Sequence, residues 1–144
     1  MIEENKQLVA KFIELAWNQG RFNLAKALVS RDFTYQANMV KISMNFDLAS
    51  KAIEAVRNAM DDFEVMPIEI IAEGNKVVSQ SSFCGTLVKP LYGFKPSDKV
   101  ITFTAVSFWE IKHGHITSVN TTLDYLELSR QMLKEDKVYE LIDV

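Results

Sequence analysis

A single cysteine, Cys84, excludes an internal disulfide framework. Lysine and arginine are scattered and the net charge is −3. The concentrated basic face that neutralises phosphates is missing, so nucleic acid is not an expected partner. No apolar run approaches the roughly 20 residues of a membrane span, and no membrane association is expected. The opening Met1-Ile2-Glu3-Glu4-Asn5-Lys6 lacks the basic start and apolar core of a secretory signal; a cytoplasmic protein is expected. There is no Gly-rich phosphate loop, no Ser-His-Asp order, no metal-ligand spacing, no internal repeat and no low-complexity segment. No cofactor and no metal are expected. What remains is 144 residues, 48% of them hydrophobic. That length suits one domain over residues 1–144, burying roughly 68–70% of the unfolded chain's surface.

The most informative stretch runs from residue 64 to 124. A β-rich run over residues 64–73 stops at Gly74-Asn75 and resumes over residues 76–88, which is the pattern of a tight hairpin. A second hairpin, residues 99–111 and 116–123, turns at His113-Gly114. Strands of about ten residues exceed the usual five or six. In a chain this size they must curve, leaving a concave face for helices to close. On residues 100–111 one face carries Ile101, Phe103, Ala105, Ser107, Trp109 and Ile111, a core face with one small polar residue. The other carries Val100, Thr102, Thr104, Val106, Phe108 and Glu110, apolar for a solvated sheet back. It reads as a homodimer surface or as an ordinary half-exposed strand.

Around this meander, Leu8, Phe12, Leu15 and Ala16 repeat at helical spacing and predict a helix over residues 3–19 ended by Gly20. Asn23 is placed to cap a short second helix over residues 24–29. Residues 32–40 read as a short strand and residues 41–47 as loop. Asp47 or Ser50 caps a third helix, striped by Ala49, Ala52, Ile53, Val56 and Met60 and stopping near Met60. The connection over residues 89–98, with two prolines, a glycine and two aromatics, suits a loop folded over a pocket mouth. Residues 126–144 predict a C-terminal helical extension.

The order helix, short helix, strand, helix and four-stranded meander resembles the nuclear-transport-factor-2-like superfamily, and within it the SnoaL-like polyketide cyclase family. The likeness is carried by Trp17-Asn18-Gln19-Gly20, Asp32-Phe33, Ala72-Glu73-Gly74-Asn75-Lys76-Val77-Val78, Gly85-Thr86, Gly93 with Pro96, and Ile111 with Gly114-His115-Ile116. It implies an α+β cone: a strongly curved mixed β-sheet packed on three helices around a hydrophobic pocket. It also implies cofactor-independent chemistry. In the cyclases a carboxylate on the last strand, in a His-Trp-Asp pattern, is the acid/base for an aldol ring closure. Here the tryptophan position is Asn120 and the aspartate position is Thr121. A hydroxyl is too weak a base to take a carbon-bound proton near neutral pH. Ketosteroid isomerase, a relative in the same superfamily, needs a carboxylate base and a protonated aspartate donor. By resemblance those positions fall near Gln36-Ala37 and at Ser107, and neither is a carboxylate.

The remaining candidates carry two readings each. Asp124 is either a relocated base at the end of the last strand or the N-cap of the following helix. Tyr35, Gln36, Ser107 and Asn120 are uncharged hydrogen-bonders, with Trp17, Phe83, Phe103 and Trp109 as apolar lining. Together they form a ligand site for an apolar small molecule or a set of satisfied core groups. His113 and His115 read as exposed turn residues and Cys84 as an inert thiol on the sheet back. Three functions follow: a cyclase- or isomerase-type enzyme, a non-catalytic binding protein, or a dimeric interaction module. A cavity of roughly 300 Å³ or larger with Tyr35, Gln36 or Asn120 inward would favour the first two, and a cavity filled by the two tryptophans would favour the third.

Overall fold

The computed structural model describes residues 1–132; the remainder of the expected C-terminal extension, residues 133–144, lies outside the described residues. Six strands form one sheet: β1 Val29–Ala37, β2 Val40–Met44, β3 Met60–Glu73, β4 Lys76–Leu87, β5 Val100–Lys112 and β6 His115–Leu123. Their spatial order is β2-β1-β6-β5-β4-β3. The pair β1/β6 is parallel and the other four pairs are antiparallel, so the sheet is mixed. Helices α1 Ile2–Phe12 and α3 Phe46–Ala59 close its concave face, α2 Phe22–Lys26 joins them to β1, and α4 Tyr125–Met132 follows β6. The fold is the α+β cone expected.

Strict alternation builds the core. On β5 the residues Ile101, Phe103, Ala105, Ser107, Trp109 and Ile111 are all buried. Facing them, Phe12 of α1 is fully buried, standing edge-on to Trp109 at 5.6 Å between centroids and 6.3 Å from Phe33. Such aromatic pairs contribute about 0.5–1.5 kcal/mol beyond the area they bury.

Several boundaries differ from the sequence reading. Helix α1 continues as a π-helical segment, Ile13–Asn18, before Gly20 turns the chain at φ +65°. The left-handed φ at Gly20, and a Cβ that would lie 2.9 Å from the Arg57 guanidinium, both favour glycine there. Asn23 lies inside α2 rather than capping it, and residues 41–44 extend β2 rather than a loop. Asn45, not Asp47 or Ser50, caps α3 by accepting from the Leu48 N–H at 2.9 Å. Strand β3 begins at Met60, directly after α3, and bends through bulges at residues 61–64 and 67–69. It tolerates Pro67 because it is an edge strand.

A recurring device finishes this sheet. Where a strand edge lacks a neighbouring strand, a carboxamide takes the vacant place, accepting from the backbone N–H and donating to the C=O of one residue. Asn18 does this to Val65 of β3 at 2.7 and 2.9 Å. Asn38 does it to Leu123 of β6 at 2.9 and 3.0 Å. Gln131 of α4 does it to Thr102 of β5. Backbone groups otherwise left to desolvate are thereby satisfied.

Candidate functional site

Register places three hydroxyls side by side on the concave face: Ser79 of β4 opposite Ser107 of β5, and Ser107 opposite Thr121 of β6. From β1, Tyr35 reaches the same row. Its phenol lies 3.1 Å from Thr121 Oγ1, and Thr121 Oγ1 lies 2.7 Å from Ser107 Oγ. Trp109 donates its indole N–H to Ser79 Oγ at 2.8 Å. These groups, with Ser81, supply the polar side of a narrow recess that Ile13, Val65 and Phe83 also wall.

The recess continues outward into an apolar cavity, sharing Trp17, Tyr35, Phe83, Ala105 and Thr121 with it. Met39, Met44, Ile53, Val56, Leu123 and Tyr92 complete much of the outer wall. No charged side chain lines either chamber. The outer cavity measures about 50 Å³, well below the roughly 300 Å³ of a drug-sized site. The wall itself takes up space: Trp17 stands perpendicular to Phe83 at 5.1 Å. Met39 and Met44 are unbranched and able to repack around a guest.

Electrostatics follow from this burial. Desolvation pushes the Tyr35 phenol up to about 12, the Thr121 hydrogen bond offsetting part of the rise. Burial, and then the proximity of Tyr35, push Tyr92 well above the ordinary phenol range. Both are neutral near pH 7. The site offers neutral donors and acceptors, and no described group on its walls is a base.

The eight expected ligand residues divide sharply. Tyr35, Ser107, Trp17, Phe83 and Trp109 line the two chambers. Phe103 is fully buried behind Phe83, stacked on it at 5.1 Å, and reaches neither chamber. Gln36 and Asn120 point outward. They are register neighbours on the convex side, in a groove with Lys41, Ser43 and Thr122 that adjoins the outer cavity at Ala37, Asn38 and Val40. The correction is one of period: successive strand residues face opposite sides, so Tyr35 inward puts Gln36 outward. Asp124 accepts from the Glu127 N–H at 3.0 Å, the helix-capping geometry, and is exposed.

Thr121, Ser79, Ser81 and Tyr92 were missed as site residues. Alternation from Phe83 reaches Ser81 and Ser79, and alternation from Val119 reaches Thr121. Tyr92 carries no periodic signal, because it sits in a loop. Among the described residues no three of His, Cys, Asp and Glu gather as a metal site, and no helix is long and apolar enough to cross a membrane.

A model of the SnoaL-like polyketide cyclase family matches residues 7–132. No curated protein matches the chain. Among solved structures, a candidate SnoaL-like polyketide cyclase from Jannaschia sp. CCS1 superposes with a TM-score of 0.80 at 16% identity, over 91% of this chain and 92% of its own. TsrD from Streptomyces laurentii gives 0.78 at 19% identity, over 90% and 95%. An LEH-like epoxide hydrolase from M. tuberculosis gives 0.69 at 17%, over 99% and 98%. At these identities the likeness is one of fold.

Proposed function

Because the chain belongs to the SnoaL-like polyketide cyclase family, we propose that it binds a neutral, largely apolar small molecule in the cone. The observation that carries this reading is a wall without charge that ends in the hydroxyls of Tyr35, Thr121 and Ser107. Such a wall desolvates a neutral molecule at little cost and an ion at a large one. Binding is favoured over ring closure because Thr121 stands at the family's base position and Asp124 is engaged as a cap. The enzymatic reading keeps one support, the family membership itself, and would use the hydroxyls as donors to a carbonyl whose substrate supplies its own acidity.

Titration followed by tryptophan fluorescence, with Trp17 in the wall as reporter, tests the binding reading. Acetophenone is expected to bind at least about tenfold more tightly than benzoate, a body of similar size carrying a charge. Equal affinity, or preference for benzoate, would sink it.

We also propose a homodimer through the convex sheet face. Ile71, Val78, Phe108, Asn120 and Gln36 form one cross-strand row there. The outward residues Val78, Gln80, Ser82, Cys84, Thr86, Thr102, Thr104, Val106 and Phe108 include no charge. Depletion of charge at the centre of a face is a mark of interfaces, and the charges of this face, Glu64, Glu69 and Glu73 of β3 with Lys76 and Glu110, lie at its rim. Light scattering should give twice the chain mass for the wild type and the single-chain mass for Phe108→Glu. A monomeric wild type at tens of micromolar would refute the dimer.

A further inference from the structure

We propose that Tyr92 is the specificity-determining residue at the mouth of the cavity, donating its phenolic hydrogen bond to a carbonyl oxygen of the bound molecule; this rests on the binding reading above. The first support is backbone geometry. Leu91-Tyr92-Gly93-Phe94 closes a two-residue turn through reciprocal bonds, Leu91 N–H to Phe94 O at 3.0 Å and Phe94 N–H to Leu91 O at 2.9 Å. Both central residues are left-handed, Tyr92 at φ +51° and Gly93 at φ +85°. Asn-Gly is the natural pair for such a turn. A side chain other than Asn, Asp or Gly is sterically disfavoured there. The turn does not need the aromatic ring for its own anchorage, since Leu91 is buried and Phe94 stacks on Tyr125 of α4 at 5.5 Å. The same left-handed pair occurs at the exposed His113-Gly114 turn, at φ +52° and +74°; Tyr92 differs from His113 in placing its side chain on the wall of the outer cavity.

The second support is where that side chain goes. Tyr92 lines the outer cavity, which Tyr35 and Thr121 also line. Tyr35, Thr121 and Ser107 are linked to one another by two hydrogen bonds, and the Tyr92 hydroxyl takes part in no hydrogen bond with a described residue. Its raised pKa, set by burial and by Tyr35, keeps it a donor at neutral pH. A donor that is half-buried, unpartnered and set in an apolar wall selects a guest carrying an acceptor over an isostere lacking one.

Acetophenone and ethylbenzene, matched in shape and differing by the carbonyl, are the probes. Wild type should prefer the ketone by about tenfold. Tyr92→Phe keeps the ring and its packing; it should retain ethylbenzene affinity and lose most of that preference, while Tyr35→Phe should keep it. A preference that survives Tyr92→Phe, that vanishes in Tyr35→Phe instead, or that is absent in the wild type overturns the assignment while leaving the pocket intact. Failure of both probes to bind the wild type removes the binding reading and Tyr92's role with it.

Discussion

Thr121→Asp is expected to cost about 3–4 kcal/mol of stability at pH 7 and to recover that loss as the pH falls towards 4. The position is 7% exposed. A carboxylate there would face Ser107 at 2.7 Å and Tyr35 at 3.1 Å from the present oxygen, and no cation lines either chamber. Two neutral donors do not replace its hydration, so burial raises the folded-state pKa above the unfolded value of about 3.9. Each unit of that rise corresponds to about 1.36 kcal/mol, and two to three units produce the stated cost. The sign follows from proton linkage. The penalty is complete above the raised folded pKa, shrinks as pH falls through it, and is gone below about 3.9. Thermal melts of variant and wild type at pH 7 and pH 4 measure the gap, and a gap of constant size would refute the buried-carboxylate account. The same substitution restores the group that the family pattern carries at this position. Aldol cyclisation appearing only in the variant would mark a chain that keeps the pocket and lacks the base.

Asn18→Ala should destabilise by about 2–4 kcal/mol, lowering the melting temperature by roughly 8–15 °C. The Asn18 carboxamide supplies both hydrogen bonds to the free edge of β3 at Val65, and alanine leaves an N–H and a C=O there partly desolvated. The pocket wall is coupled to the same point. Arg57 of α3 donates to the carbonyls of Trp17 and Asn18 at 2.7 and 2.8 Å, so the π-helical segment is held from two sides, with Trp17 between them. Asn18→Asp separates the two bonds, because it keeps the acceptor for Val65 N–H and loses the donor to Val65 C=O. It should fall between wild type and alanine near neutral pH. A melt of Asn18→Ala within about 2 °C of wild type would mean that water fills the edge as well as the amide does.

Much of the architecture was legible in the residues. The alternation along residues 100–111 sorted Ile101, Phe103, Ala105, Ser107, Trp109 and Ile111 to the buried face, as observed. The Gly74-Asn75 and His113-Gly114 turns set the meander's register, with Glu73 opposite Lys76 and Lys112 opposite His115. The same rule of alternation, applied to Tyr35 and Gln36 together, would have sent Gln36 to the convex side at once. Edges were less legible. Nothing local marks Asn18, Asn38 or Gln131 as strand-edge partners, since each bonds to a residue between 29 and 85 positions away.

By itself the sequence determined which face of residues 100–111 is buried and where the two hairpin turns fall, while the resemblance to the family implied that its aspartate position holds Thr121. These are local properties, set by a side-chain period of two and by the few residues that accept positive φ. Only the tertiary structure decided that Tyr35, Thr121 and Ser107 share one hydrogen-bonded chain, that Asp124 is a cap, and that Tyr92 stands over the cavity. Those meetings depend on the parallel β1/β6 pairing across 86 residues of chain and on a loop anchored through Phe94 to α4. Contact between such distant segments is settled by how the whole sheet curves and packs, which no window of neighbouring residues encodes.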